Sequence, residues 1–271
     1  MPFKHQRFQK RFQLTELKNA IVMTMVFTLF GCSATEIRPA QTPSPQEEFQ
    51  GDISSVQNLT ERVNLALKLK TDTEINVFLR DIAVKLSTQS AVLTGVPVGV
   101  LVFEDKSRLY RNLAVPGNRV YLSKLNLKAA EFESELAANI SFELGLLINR
   151  VLIKRETVKI RTAESNSEGL SLAKTDLFGP AGLFSFSDAD YVAAVAPAIQ
   201  LLQSAQYDTR ALVSWFEKVE TKNKGHDAID QSTFEKLKIR AREEIALRVP
   251  IRNPIMKSER FQQLKKRIEK L

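Results

Sequence analysis

Apolar positions along the chain fall into three regimes. An unbroken apolar run, "AIVMTMVFTLF", fills residues 20–30 behind the cationic stretch "KHQRFQKRFQ" of residues 4–13. A polar stretch without period follows, including "TPSPQEEFQ" at 42–50, and regular patterns begin near Val56. From there Ile75, Phe78, Leu79, Ile82 and Leu86 recur at helical spacing behind Thr73, which predicts an amphipathic helix with Thr73 as its N-cap. "VGVLVF" at 98–103 is short and β-branched and stops at an acidic pair, as a buried strand does. "NLAVPGNRVYL" at 112–122 sets Pro-Gly between two apolar stretches and predicts a hairpin, or an edge strand entering a turn. One long helix is predicted from about Lys128 to Arg155, then a loop over 163–187, then a helix from Asp188 to Ala205 kinked or broken at Pro197. Another helix starts in "YDTRALVSWFEKV". Ser232 and Glu235 have capping-box spacing ahead of Phe234, Leu237, Ala241 and Ile245, and Phe261, Leu264, Ile268 and Leu271 line one face of a terminal helix. The class is α+β, predominantly helical with a small sheet or hairpin.

The three regimes predict a signal segment at 1–31, a tether at 32–55 and one domain at 56–271, a division that 271 residues accommodate. The apolar run of 11 residues covers about half of a bilayer-spanning helix and reads as an export signal. "LFGC", ending at Cys32, resembles the lipobox of bacterial lipoproteins. The resemblance implies acylation of Cys32, and Ser33 after it implies a lipid-anchored, periplasm-facing position at the outer membrane of the cell envelope. Several acyl chains on one residue, at roughly 0.8 kcal/mol per buried CH₂, anchor a protein stably. The Pro-, Gln- and Ser-rich stretch behind Cys32 holds the domain away from the lipid.

Charge and cysteine content narrow the classes further. The formal charge is +8, but residues 1–31 carry five cations and one anion, and their removal leaves +4. The mature part has no dense basic stripe with interleaved aromatics, so nucleic acid is not an expected partner. Cys32 is the sole cysteine, which excludes an internal disulfide.

Three segments, in order, resemble one family. "NLAVPGNRVYLSKLNL" at 112–127, "EFESELAANISFELGLLINR" at 131–150 and "QLLQSAQYDTRALVSWFEKV" at 200–219 are similar to segments of the zinc metallopeptidases that include the CAAX prenyl endopeptidase, the HtpX stress protease and the BepA outer-membrane assembly factor. "RNPIMKSERFQQLKKRI" at 252–268 is a weaker match to the same family. The resemblance implies a metallopeptidase-like fold with a small sheet or hairpin beside the active-site helix. In such a helix, H-E-x-x-H places two imidazoles one turn apart to hold Zn²⁺ while the Glu activates a metal-bound water. Here "HELAH" has become "FELGL": the two ligand positions hold Phe142 and Leu146, and Glu143 alone survives. The third ligand position falls on Tyr191 if the alignment is anchored on "QYDTR", or on Phe186 if it is anchored on "DAD". A family His near the C-terminus corresponds to Asn253.

Composition reaches the same point without alignment. The chain has two histidines, His5 in the signal and His226 in a polar loop, so no pair of histidines remains in the mature chain to bind zinc. No metal and no cofactor are expected. Glu143 is a vestigial carboxylate flanked at i±3 and i±4 by Asn139, Ile140, Leu146 and Leu147, with Arg119 as a candidate partner from elsewhere in the fold. The leading expectation is a catalytically inactive, lipid-anchored metallopeptidase-like protein that binds polypeptides or partner proteins in envelope quality control or outer-membrane assembly. Its candidate groove runs along Gly117, Asn118, Arg119, Val120 and Tyr121. Two other readings stand beside it. One is an active metalloendopeptidase with other ligands, such as Asp188 or Asp190. The other is a purely structural envelope lipoprotein whose groove is packed shut by Phe142, Leu146 and Phe186 or Tyr191.

Overall fold

A computed structural model describes residues 53–88, 90, 92–93, 97–104, 112–149, 184, 186–222 and 229–271, with side chains from Leu59 onward. The expected signal, the acylation site Cys32 and most of the tether lie outside the described residues, as do His226 and most of the loop expected at 163–187.

Helix α1 (Ile53–Ala66) begins inside the expected tether and leads into β1 (Lys68–Lys70), a short strand with no signal in the sequence pattern. Helix α2 (Thr73–Ser87) buries Ile75, Phe78, Leu79, Ile82 and Leu86 as their spacing predicts. Its N-cap, however, is Asp72 rather than Thr73, because the Asp72 carboxylate reaches the amides of Glu74 and Ile75, each at 3.1 Å. Strands β2 (Gly99–Glu104), β3 (Asn112–Val115) and β4 (Arg119–Ser123) complete a mixed sheet in the order β1-β2-β4-β3. β3 and β4 form the expected hairpin, turning through Gly117 and Asn118, which both take positive φ (84° and 57°). β2 and β4 are parallel, and β1 is antiparallel to β2.

Alternation along the strands separates two apolar layers. Val100, Val102, Ala114, Val120 and Leu122 face the main helical core, while Phe103, Leu113, Val115 and Tyr121 pack on Leu59 and Val63 of α1. The protein is thus α+β, mostly helical with a four-stranded mixed sheet.

Past the sheet, the single long helix expected from Lys128 is two. Helix α3 (Lys124–Ala129) ends at Ala130, whose backbone is extended (φ −67°, ψ 123°), and α4 (Glu133–Ile148) starts three residues later. The break is stabilised by Glu135, whose carboxylate accepts from the amides of Glu131 (2.7 Å) and Phe132 (3.4 Å) just ahead of α4. Helix α5 (Asp188–Ser204) runs continuously through Pro197, where a kink or break was expected. The carbonyl that Pro197 leaves without an N–H belongs to Ala193, which is exposed, so water can satisfy it. Helices α6 (Ala211–Lys222), α7 (Gln231–Ala246) and α8 (Glu259–Lys270) follow. α7 begins one residue ahead of Ser232, which is not its cap: the Ser232 hydroxyl donates to Asp230 at 2.7 Å. α8 buries Phe261, Leu264 and Ile268 as expected. Its last turn is tied to the start of α2 by Arg267, 2.6 Å from Asp72 and 3.0 Å from Glu74.

At the centre, every residue of α4 from Glu133 to Leu147 is buried. The helix packs mainly on α5 and also against α6, α2 and β3. Gly145 sets the approach to α5, since a Cβ at that position would lie 2.4 Å from the Ala194 carbonyl oxygen. The N-terminal end of α4 is fixed by a buried ion pair: Lys218 Nζ lies 2.9 Å from the Glu135 carboxylate and also donates to the Ala129 carbonyl at 3.2 Å. Ser214 Oγ donates to the same carboxylate at 3.2 Å.

Two changes test this packing. Gly145→Ala should destabilise the domain by about 1–3 kcal/mol through overpacking against backbone, read as a lower urea midpoint at unchanged slope. Lys218→Met should cost about 1.5–3 kcal/mol by removing the cation from a buried carboxylate that keeps only Ser214 and two backbone amides. Adding Glu135→Gln in the same chain should recover most of that loss in the same denaturation assay.

Candidate functional site

The segment singled out by the resemblance lies on the part of α4 that faces α5 and α6. Phe142 stacks on Tyr191 of α5, with ring centroids 6.4 Å apart and planes at 15°. It also meets Phe216 of α6 edge-on at 5.1 Å and 82°. Phe186, just before α5, packs edge-on to Tyr191 at 5.6 Å, and Phe184 continues the series at 6.5 Å from Phe186. The first expected ligand position and both alternatives for the third therefore meet in one aromatic cluster. Offset and edge-to-face pairs of this kind add about 0.5–1.5 kcal/mol each beyond the area they bury. Leu146, one turn after Phe142, belongs to the same apolar core.

These residues do not fit a zinc ion. Phenyl and isobutyl groups have no lone pair to donate, and Tyr191 offers at most one phenolic oxygen. Among the described residues, no three His, Cys, Asp or Glu side chains come together as a metal-binding group. Asp188 and Asp190, the alternative ligands considered from sequence, are occupied elsewhere. Asp188 pairs with Lys236 at 2.6 Å and accepts from Thr233, and Asp190 caps its own helix by accepting from the Ser187 amide at 3.1 Å and the Ser187 hydroxyl at 2.7 Å. Asn253 is exposed in the connection between α7 and α8. No described hydrogen bond, ion pair or ring contact joins it to the cluster.

Glu143 is 7% exposed, and no hydrogen bond or ion pair reaches it from the described residues. Burial alone pushes its carboxyl up to about 8, so at neutral pH the group is mainly protonated. Arg119 is not its partner, because Arg119 opens β4 at the hairpin turn, is exposed, and interacts with Tyr121. On the α4 turn before Glu143, Asn139 accepts from the Asn112 amide, and its own Nδ2 finds no partner among the described residues. Asn112 also accepts from the Asn126 amide and from the Ser123 backbone at 3.1 Å, which ties β3 and α3 to this side of α4.

The groove expected along residues 117–121 is not a sheet edge. β4 pairs with β2 on one side and with β3 on the other, so its backbone groups are used twice over. Asn118, Val120 and Tyr121 are fully buried, Gly117 is half-buried, and only Arg119 of the five is exposed. Beside α4 the outer strand is β3, the first arm of the same hairpin. The sequence reading also missed Phe216, whose helical spacing with Leu212 and Val219 marks it as core without saying which ring it meets. It missed the pair of Glu135 and Lys218, which are distant in sequence.

No family model matches the chain, and neither does any curated protein sequence.

The buried carboxyl gives a signed pH dependence. Its folded value of about 8 exceeds the ordinary carboxyl value of 4.5, so the folded state keeps a proton that the unfolded state releases. The stabilising contribution is full below about pH 4.5 and is lost as pH rises from there to about 8. At pH 7 the loss is on the order of 3 kcal/mol. Glu143→Gln should remove this dependence, so that urea midpoints measured from pH 5 to 9 fall for the parent and stay flatter for the variant. Parallel curves for the two proteins would show that Glu143 is wet or paired.

Proposed function

We propose that this chain is a lipid-anchored, catalytically inactive metallopeptidase-like protein of the bacterial envelope, which binds polypeptides or partner proteins in quality control or outer-membrane assembly. The aromatic cluster carries the inactive half of this reading. Where the resemblance requires two imidazoles and a carboxylate converging on Zn²⁺, this chain has Phe142, Leu146 and either Tyr191 or Phe186, and the Phe142 and Tyr191 rings join α4 to α5. Glu143 lies on a buried helix with no histidine at either ligand position. A general base must be ionised to take a proton, and a buried, unpaired carboxyl near pH 7 is not.

The binding half rests on the resemblance and on the expected acyl anchor at Cys32. β3 pairs on one side only among the described residues, but Leu113, Ala114 and Val115 are buried along it, so strand addition there would first require the edge to be uncovered. A second reading has an observation of its own. The complete burial of α4 from Glu133 to Leu147 favours a purely structural lipoprotein, since a peptide groove over that helix would leave one face wet.

One preparation tests these readings. The purified mature chain should contain no stoichiometric zinc by elemental analysis and should not cleave casein, with or without chelator. Stoichiometric zinc with chelator-sensitive cleavage that disappears in Glu143→Gln would establish the active enzyme instead. Retention of unfolded casein by the immobilised protein supports the binding reading, and its absence supports the structural one.

A further inference from the structure

We propose that the connection between α7 and α8, residues 247–257, is a membrane-contact loop that seats the domain on an anionic bilayer. The proposal takes its setting, a domain already tethered to lipid, from the function proposed above.

Seven large apolar side chains are exposed among the described residues; three of them, Leu247 and Val249, each 80% exposed, and Met256, lie on this connection, and a fourth, Phe132, stands at the start of α4 against which it rests. Phe132 joins the group because the amide of Ser134 donates to the Met256 carbonyl at 3.2 Å. The exposure is built into the fold. The Val249 carbonyl accepts from Gln203 Nε2 at 3.0 Å, and the Ile255 amide donates to the Gln206 carbonyl at 2.8 Å, so both arms of the loop are pinned at the same end of α5. Ser258 closes the loop by donating its amide to Glu133 at 3.1 Å. Arg248 folds back to Glu244 at 3.4 Å, leaving its neighbours Leu247 and Val249 turned outward on either side.

Charge selects the occupant. "LRVPIRNPIMK" carries three cations and no anion. Arg252 and Lys257 are exposed and form no ion pair among the described residues; Glu243, Glu244 and Asp208 each already face an arginine, which leaves the exposed Glu259 at the start of α8 as the one acid within two residues of either cation. Exposed aliphatic groups interleaved with surplus cations match an interfacial contact, in which apolar side chains enter the acyl boundary and cations meet phosphate. A partner protein buried on this surface would have to supply acids to answer Arg252 and Lys257, and a second copy would bring the same cations against them. The expected acyl anchor at Cys32 would hold the domain near the bilayer at high effective concentration, so a weak contact suffices.

The test uses the mature chain carrying Cys32→Ser, which has no acyl group, so the loop is read apart from the anchor. Flotation with vesicles of phosphatidylcholine and phosphatidylglycerol should capture it at low salt, and vesicles of phosphatidylcholine alone should not. Arg252→Gln with Lys257→Gln should weaken binding about 30-fold, on roughly a fivefold loss per cation, and Leu247→Ser with Val249→Ser at least tenfold. Both variants should keep the parent's thermal melt, because the four side chains are exposed. No flotation of the Cys32→Ser chain, or equal flotation of parent and variants, would overturn the loop whatever the fate of the anchor. Self-association abolished by Leu247→Ser with Val249→Ser would overturn it in favour of a contact between copies. Acylation at Cys32 is read separately, by the mass of the wild-type mature protein.

Discussion

Because α4 is surrounded on every side, each charge it carries must be answered inside the protein, and much of the remaining architecture follows from how that is done. Moving a carboxylate out of water costs several kcal/mol unless partners replace the lost hydration. At the first turn the partners are present. Glu133 accepts from the Tyr207 hydroxyl at 3.0 Å and the Ser258 amide at 3.1 Å, and Glu135 from Lys218, Ser214 and two backbone amides. Burial and the Glu133 carboxylate push the Tyr207 hydroxyl above its ordinary value, which keeps it a donor. The positive end of the helix dipole favours both acids there. Two turns further on no partner arrives from the described residues, and burial favours the protonated form of Glu143 instead.

That contrast bears on chemistry. In a metal-dependent hydrolase, the ion lowers the pKa of its bound water from 15.7 to about 7, and the carboxylate needs only to pass a proton along. The setting of Glu143 is the reverse: its carboxyl is withdrawn from solvent, so the ionised form is the costly one. Nearby, Phe142, Tyr191 and Phe216 pack against one another between α4, α5 and α6. Gly145 then lets α5 approach to backbone contact.

Legibility in the sequence followed the physical nature of each feature. Apolar periodicity located α2, α8 and the hairpin, since it records which side of an element faces the core. It does not record which strands pair, so β4 read as an edge although β2 had joined it in parallel from across a crossover. Local competitions were also missed. Asp72 and Thr73 are both good caps, and only geometry shows that the Asp72 carboxylate takes the amides of Glu74 and Ile75. Glu135 ends one helix and begins another by accepting the intervening amides, whereas composition there favours continuous helix. The site positions Phe142, Leu146, Phe186, Tyr191 and Glu143 were all named from sequence. The stacking that joins the rings, and the proton on Glu143, depend on residues brought from other helices.

The loop after α7 shows the same rule from the opposite side. Leu247 and Val249 lie outside because hydrogen bonds from the Gln203 side chain to the Val249 carbonyl, from the Ile255 amide to the Gln206 carbonyl and from the Ser134 amide to the Met256 carbonyl fix the loop against the ends of α5 and α4. Those contacts belong to the framework that holds Glu133 and Tyr207 in place. A surface loop with two aliphatic groups in water has an alternative, which is to fold back and bury them. Here the alternative would break the bond from Gln203 Nε2 to the Val249 carbonyl, while the far end of the same loop is held at the head of α4 by the Ser258 amide on Glu133. The loop is therefore tied at both ends to the helices whose burial it borders, and the exposure of Leu247 and Val249 follows from those ties.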